Sequence, residues 1–227
     1  MEDYRGNLTT KQKLANFWDY GKIPIAIGLI AAVVLGYLVI NFITANKRPG
    51  VSIIVAGVGL PQAMGDDFVA AEAYMGNFVP DTGKRPPVVF SYTALGQGYA
   101  PGSINVGGDA AMKLMTEMTM NDSYLLIVDQ ATYNGLGLSD VALPIGNYVS
   151  GLTLDDPTQL PITSLGAYSE DGPLKALANH NLFFVIKDII GDKPSAKDKQ
   201  RFDDAVAFLN NLASGNAVAG SSSSSGS

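Results

Sequence analysis

Hydrophobic and polar positions along this chain fall into blocks whose period changes from one block to the next. Residues 51–60, VSIIVAGVGL, are apolar and β-branched without interruption, the pattern of a strand buried on both faces. Residues 66–78, DDFVAAEAYMGNF, change to helical spacing, with Asp66 and Asp67 at the positive dipole end and Gly76 near the stop. A second strand is predicted over 88–95, VVFSYTAL. A second helix follows over 109–118, with Asp109 as N-cap and Ala111, Leu114, Met115 and Met118 on its apolar face. The run YLLIV at 124–128 reads as a central strand that delivers Asp129, Gln130, Thr132 and Tyr133 at its carboxyl end. Residues 138–149 read as a short helix or irregular turn, and 160–166 and 181–189 as two more strands. An amphipathic helix over 194–214 closes the domain. Ser195 is its N-cap; Phe202, Val206 and Leu209 share one face, flanked by Phe208 and Leu212.

Alternating strands and helices predict an α/β domain of three-layer type with a mixed, partly parallel sheet and right-handed crossovers. Its roughly 165 residues are enough to bury a core. Five segments follow: 1–22 juxtamembrane, 23–44 membrane-spanning, 45–50 a basic hinge, 51–214 the α/β domain, and 215–227 a Gly/Ser-rich tail predicted to lack order.

The span rests on IPIAIGLIAAVVLGYLVINFIT at 23–44, which holds no charged residue. As a helix it would extend roughly 33 Å, against about 30 Å of bilayer hydrocarbon. Trp18 and Tyr20 precede it at headgroup depth, and Leu8–Tyr20 reads as an amphipathic interfacial helix. Arg5, Lys11, Lys13 and Lys22 precede the span, whereas Lys47 and Arg48 follow it. That bias predicts a single-pass protein with a cytoplasmic N-terminus and an extracellular C-terminal domain, in contact with the lipid bilayer through 23–44.

Composition narrows the function. Net charge is −6, the wrong sign for a nucleic-acid partner. Mean hydropathy is +0.15, raised by the span. There is no cysteine, which excludes disulfides, thiolate metal sites and a cysteine nucleophile. His180 is the single histidine and no G-x-S-x-G surrounds a serine, so no catalytic triad or zinc set is predicted. The acid pairs Asp155–Asp156 and Glu170–Asp171 lack EF-hand spacing and read as solvated turns. AGVGLPQAMG at 56–65 has Gly57 and Gly59 of a dinucleotide fingerprint, but Gln62 stands at the third position and no acidic residue ends the next strand. No cofactor, metal or catalytic residue is predicted, and the chain is read as non-enzymatic.

The juxtamembrane FWDYGK, the uncharged span, the hinge and the α/β domain together resemble membrane-anchored surface proteins of Gram-positive bacteria. Over about 105–190, the helix AAMKLMTEM, the strand leaving through Asp129, then LPITSLG and NLFFVIKDI resemble part of an extracellular solute-binding protein. That resemblance implies a ligand at the carboxyl ends of the strands, with Tyr92, Asp129, Gln130 and Tyr133 as contacts and the Gly-rich loop 96–108 supplying backbone donors. The domain is shorter than two such lobes require. Two readings therefore stand: a surface-anchored solute- or ligand-binding module, or an interaction and assembly subunit that contacts another membrane protein.

Overall fold

A computed structural model describes residues 10–11, 33–37, 50–80, 87–98, 104–105, 108–120, 122–190 and 194–218. The chain divides into two compact units, Met1–Lys47 and Arg48–Ser227. In the first, only Thr10, Lys11 and Val33–Tyr37 are described; they are helical and exposed. The predicted span at 23–44 and the interfacial helix before it thus lie largely outside the described residues, as do most of the hinge and the tail. Among the described residues no helix is long and apolar enough to cross a membrane.

The second unit is an α/β domain with a mixed, partly parallel sheet of six strands. In chain order its elements are β1 (Val51–Val58), α1 (Asp66–Met75), β2 (Val88–Leu95), α2 (Asp109–Thr119), β3 (Leu125–Val128) and α3 (Gln130–Gly135). Then come β4 (Ala142–Leu143), β5 (Leu160–Pro161), α4 (Lys175–Asn179), β6 (Phe183–Lys187) and α5 (Ala196–Ser214). The sheet order is β2-β1-β3-β6-β4, with β5 also on β6. β1 is parallel to β2 and to β3, in register Val51↔Val88 and Ile53↔Leu125. β6 runs antiparallel to β3, β4 and β5.

Alternate residues of each strand feed two cores. Ile53, Val55, Leu125, Ile127, Phe184 and Ile186 point to one face, where Phe68, Ala71 and Met75 of α1 and Phe208, Leu209 and Leu212 of α5 cover them. Ile54, Ala56, Leu126, Val128, Phe183 and Val185 point to the other, under Ala111 and Leu114 of α2. β2 and β3 flank β1 on opposite sides, so right-handed crossovers require α1 and α2 on opposite faces. They are found there. All four residues of β3 are buried, as a central strand demands.

Several local expectations shift. α1 tightens after Met75 into a 3-10 turn over Gly76–Phe78. The N-cap of α2 is Gly108, and Asp109 is its first residue. On α2, Ala111 and Leu114 are buried but Met115 is 41% exposed. Within 138–149 the chain makes two 3-10 turns around the two-residue β4. The strand predicted over 160–166 stops at Pro161, which has no N–H to extend the ladder, and turns into a 3-10 helix over Ile162–Ser164. Ser195 does cap α5, in a reciprocal capping box with Asp198. The buried stripe of α5 is Ala205, Phe208, Leu209, Leu212 and Ala213, rotated from the predicted one; Phe202 and Val206 are half-buried.

Candidate functional site

In an open α/β sheet the natural crevice opens where the connections from two adjacent parallel strands leave in opposite directions. Here that point is between the carboxyl ends of β1 and β3. The backbone donor Val51 N–H bonds Pro87 O at 2.8 Å, so the odd-numbered residues of β1 face β2 and the even-numbered ones face β3. β3 ends opposite Ala56. The N–H of Val58, two residues on, therefore has no strand partner.

Asp129 fills that gap. Its Oδ2 accepts from Val58 N–H at 2.7 Å, and its Oδ1 accepts from Thr132 N–H at 2.8 Å as the N-cap of α3. Both carboxylate oxygens are used, one to extend the sheet and one to start a helix. Gly57 makes room for this: a Cβ there would meet Leu60 Cγ at 3.2 Å and Asp129 Oδ2 at 3.3 Å. Gly59 takes a left-handed φ of 78° at the turn, where a side chain would be strained. Of the two glycines of the fingerprint-like stretch, Gly57 thus admits the protein's own leucine and carboxylate and Gly59 makes the turn.

The other predicted contacts do not converge with Asp129. Tyr92 lies on the α1 face, its ring edge-on to Phe68 at 5.4 Å and its hydroxyl donating to Pro61 O at 2.7 Å. Burial raises the pKa of that phenol. Tyr133 lies on the α2 face, stacked edge-on with Phe183 at 5.7 Å. Its hydroxyl and that of Thr158 are 2.7 Å apart, and Thr158 Oγ1 donates to Asp156 Oδ1 at 2.6 Å. The proton order is therefore Tyr133 to Thr158 to Asp156. Gln130 is exposed and donates to Asn134 Oδ1 at 3.0 Å, one turn along α3. The sheet stands between the two tyrosines. Of loop 96–108, the described part pairs Gln97 with Ile104 and bonds Asn105 N–H to Gly96 O at 2.9 Å. Ile104 packs so closely on Gly135 that a Cβ there would meet it at 2.6 Å.

A second polar cluster sits at the opposite end of the strands. Lys187, the last residue of β6, is 1% exposed, and its ammonium donates to Met118 O at 2.6 Å and Met120 O at 2.9 Å. It thereby caps the carboxyl end of α2, where a positive charge is favoured. The ammonium also lies 5.7 Å from the centre of the Tyr124 ring. Burial lowers its pKa to about 8, with Asp122 pulling the other way. Burial, with Asp198 and Asp122 adding to it, raises the Tyr124 phenol to about 12. Arg201 bridges Asp122 at 2.7 Å. Sequence reasoning missed this cluster; the only signal was a lysine ending the otherwise apolar run FFVIK. It also missed Thr158, and it read Asp156 as part of a solvated turn, whereas the two form a chain to Tyr133 from a distant loop.

Among the described residues no three acidic or histidine side chains gather as a metal site. His180 stacks near Phe68 at 5.7 Å between ring centres, against the α1 core. By architecture this is an α/β domain whose sheet is mixed and whose Asp129 carboxylate accepts two backbone N–H groups at the carboxyl ends of β1 and β3. No family model, curated protein or solved structure matches the chain.

Proposed function

We propose that the chain is a single-pass membrane protein whose α/β domain lies outside the cell and acts through protein contact, as an interaction or assembly subunit, without catalysis. One observation carries the choice of protein contact over solute capture. The Asp129 carboxylate takes up the unpaired Val58 N–H and the N–H of Thr132, the third residue of α3, two donors that an anionic or polar solute could use at the strand ends. A solute entering there would have to displace a carboxylate held by two charge-assisted bonds of the stronger kind. Tyr92 and Tyr133, on opposite faces of the sheet, do not close a pocket around it. The uncharged stretch 23–44 and the lysine and arginine bias around it support the membrane anchor and its orientation.

The test uses the full chain. Extracted in mild detergent, it is expected to migrate in native gels as a complex of fixed stoichiometry and to show no saturable thermal shift with small solutes. A solute at a hundredfold excess over its dissociation constant would add about 2.7 kcal/mol, a shift that is easily seen. Migration alone together with such a shift, lost in Asp129→Ala, would overturn the reading in favour of a solute-binding module. Protease added to intact cells is expected to remove the C-terminal domain; protection would refute the orientation.

A further inference from the structure

Asn134 is followed by Gly135, the one Asn-Gly step in the chain. That pair carries its own chemistry. The Gly135 backbone nitrogen, once deprotonated, can attack Cγ of Asn134. The new N–Cγ bond closes a five-membered succinimide, the Cγ–Nδ2 bond breaks, and ammonia leaves with the proton. Water then opens the ring at either carbonyl. One product is aspartate; the other is isoaspartate, in which the chain runs through the former side chain and gains a methylene. A following glycine favours the attack because it has no Cβ to shield its nitrogen.

The fold explains why glycine stands there and what restrains the reaction. A Cβ on Gly135 would lie 2.6 Å from Ile104 Cγ1 and 3.1 Å from Cδ1, so the packing of Ile104 on α3 calls for glycine. Both residues of the pair are exposed, open to water and hydroxide. The helical ladder runs from Tyr133 N–H to Asp129 O at 2.9 Å and on to Leu136 N–H to Thr132 O at 3.0 Å. The same spacing assigns the Gly135 N–H to Ala131 O. The Asn134 amide is turned back along the helix, its Oδ1 accepting from Gln130 Nε2 at 3.0 Å. The attacking nitrogen is thus engaged elsewhere, and the amide faces the preceding turn. Yet α3 has only 6 residues, too few to hold a ladder without tertiary support. That support comes from the Asp129 cap and from buried Thr132 and Tyr133, all on the N-terminal side of Asn134. The Asn134–Gly135 end therefore opens at a lower free energy than the whole domain.

We propose that Asn134 is a deamidation site held in check by α3, and that its conversion releases the helix one way. The product carboxylate sits at the negative end of the helix dipole, and isoaspartate breaks the ladder between residues 134 and 135. Released, α3 gives up the Thr132 N–H on Asp129 and the Tyr133 ring on Phe183. The covalent change opens the carboxyl end of β3, and this holds whichever function the chain serves.

The experiment incubates the full-length protein in one detergent at mildly alkaline pH. Conversion at each asparagine is followed by mass spectrometry, with isoaspartate identified from its backbone fragments. Asn134 is expected to convert faster than Asn147, which is exposed but followed by Tyr148. In folded wild type it should convert about tenfold more slowly than in the urea-unfolded chain, the protection being that of a local opening. Asp129→Ala, which removes the cap of α3, should speed conversion at Asn134 about fivefold and leave Asn147 unchanged. In wild type under mild urea, conversion should rise in step with hydrogen exchange of the α3 amides. Asn134→Asp, which supplies the product charge, should exchange the Tyr133 amide about fivefold faster. Conversion at Asn134 no faster than at Asn147, or conversion that follows global unfolding alone, would overturn the proposal. Unchanged Tyr133 exchange in Asn134→Asp would overturn the release of α3. The urea series on wild type decides the matter if Asp129→Ala fails to fold.

Discussion

Lys187 Nζ donates to Met118 O at 2.6 Å, so a strand from the far end of the domain caps the helix that crosses between β2 and β3. The contact joins residues that are remote in sequence, and it places a cation where almost no water reaches. The energetic consequence is a pH dependence whose sign is fixed by burial.

In the folded chain Lys187 titrates at about 8, below its ordinary 10.5. Between those values the unfolded chain holds a proton that the folded chain has released, so stability rises with pH across that window. Tyr124 acts in reverse: raised from 10.0 to about 12, it keeps its proton in the folded state and stability falls above pH 10. Urea unfolding at a series of pH values is expected to show a rise from about 8 to 10, then a reversal. Lys187→Met should abolish the rise and Tyr124→Phe should soften the reversal.

Two tyrosine-to-phenylalanine exchanges should separate by hydrogen bonding. The Tyr124 hydroxyl is buried with no partner among the described residues, so Tyr124→Phe is expected to be neutral or to stabilise by up to about 1 kcal/mol at neutral pH. The Tyr133 hydroxyl bonds Thr158, and Tyr133→Phe is expected to cost about 0.5–1.5 kcal/mol. Equal effects in denaturant titrations would show that the two hydroxyls are not distinguished in this way.

Asp129→Ala removes an N-cap and the bond that completes the end of β1. A loss of about 2–3 kcal/mol is expected, the sum of a cap and a buried donor left unpaired. Asp129→Asn should recover part of this, since its amide offers one acceptor to the two donors. Were Asp129→Ala to leave the unfolding midpoint in place, the carboxylate would be free for a ligand role.

Gly166 lies against the last turn of α5, its N–H donating to Ala213 O at 2.7 Å. A Cβ at Gly166 would sit 2.7–2.9 Å from Ala213 O, Ser214 C and Gly215 N, all backbone atoms that cannot rotate away. Gly166→Ala is expected to destabilise by about 1–3 kcal/mol, as overpacking does, with α5 losing hydrogen-exchange protection first at its carboxyl end. Gly146→Ala, where a Cβ meets nothing within 4 Å, serves as the control with little effect.

The order of strands and helices was legible because each element buries a face or a stripe, and that requirement imprints a period of two or 3.6 on the residues themselves. β1, β2 and the buried run of β3 could be read this way, as could α1, α2 and the Ser195 cap of α5, since local spacing and a local cap determine them. Parallel pairs with right-handed crossovers followed from alternation and chirality, while the choice of β2 and β3 as the partners of β1 came with the tertiary structure. The polar exit of β3 was visible as chemistry but not as geometry. Whether Asp129 meets a ligand or Val58 depends on β3 stopping two residues short of β1, a register that no local pattern encodes. The face each tyrosine takes likewise depends on where its element packs, which set Tyr92 beside Phe68 and Tyr133 beside Phe183. Lys187 shows the same division: a lysine at the end of an apolar strand is an anomaly in sequence, and only the arrival of the carboxyl end of α2 gives its charge a partner. Short-range periodicity determined the elements, and long-range packing decided which polar groups satisfy one another.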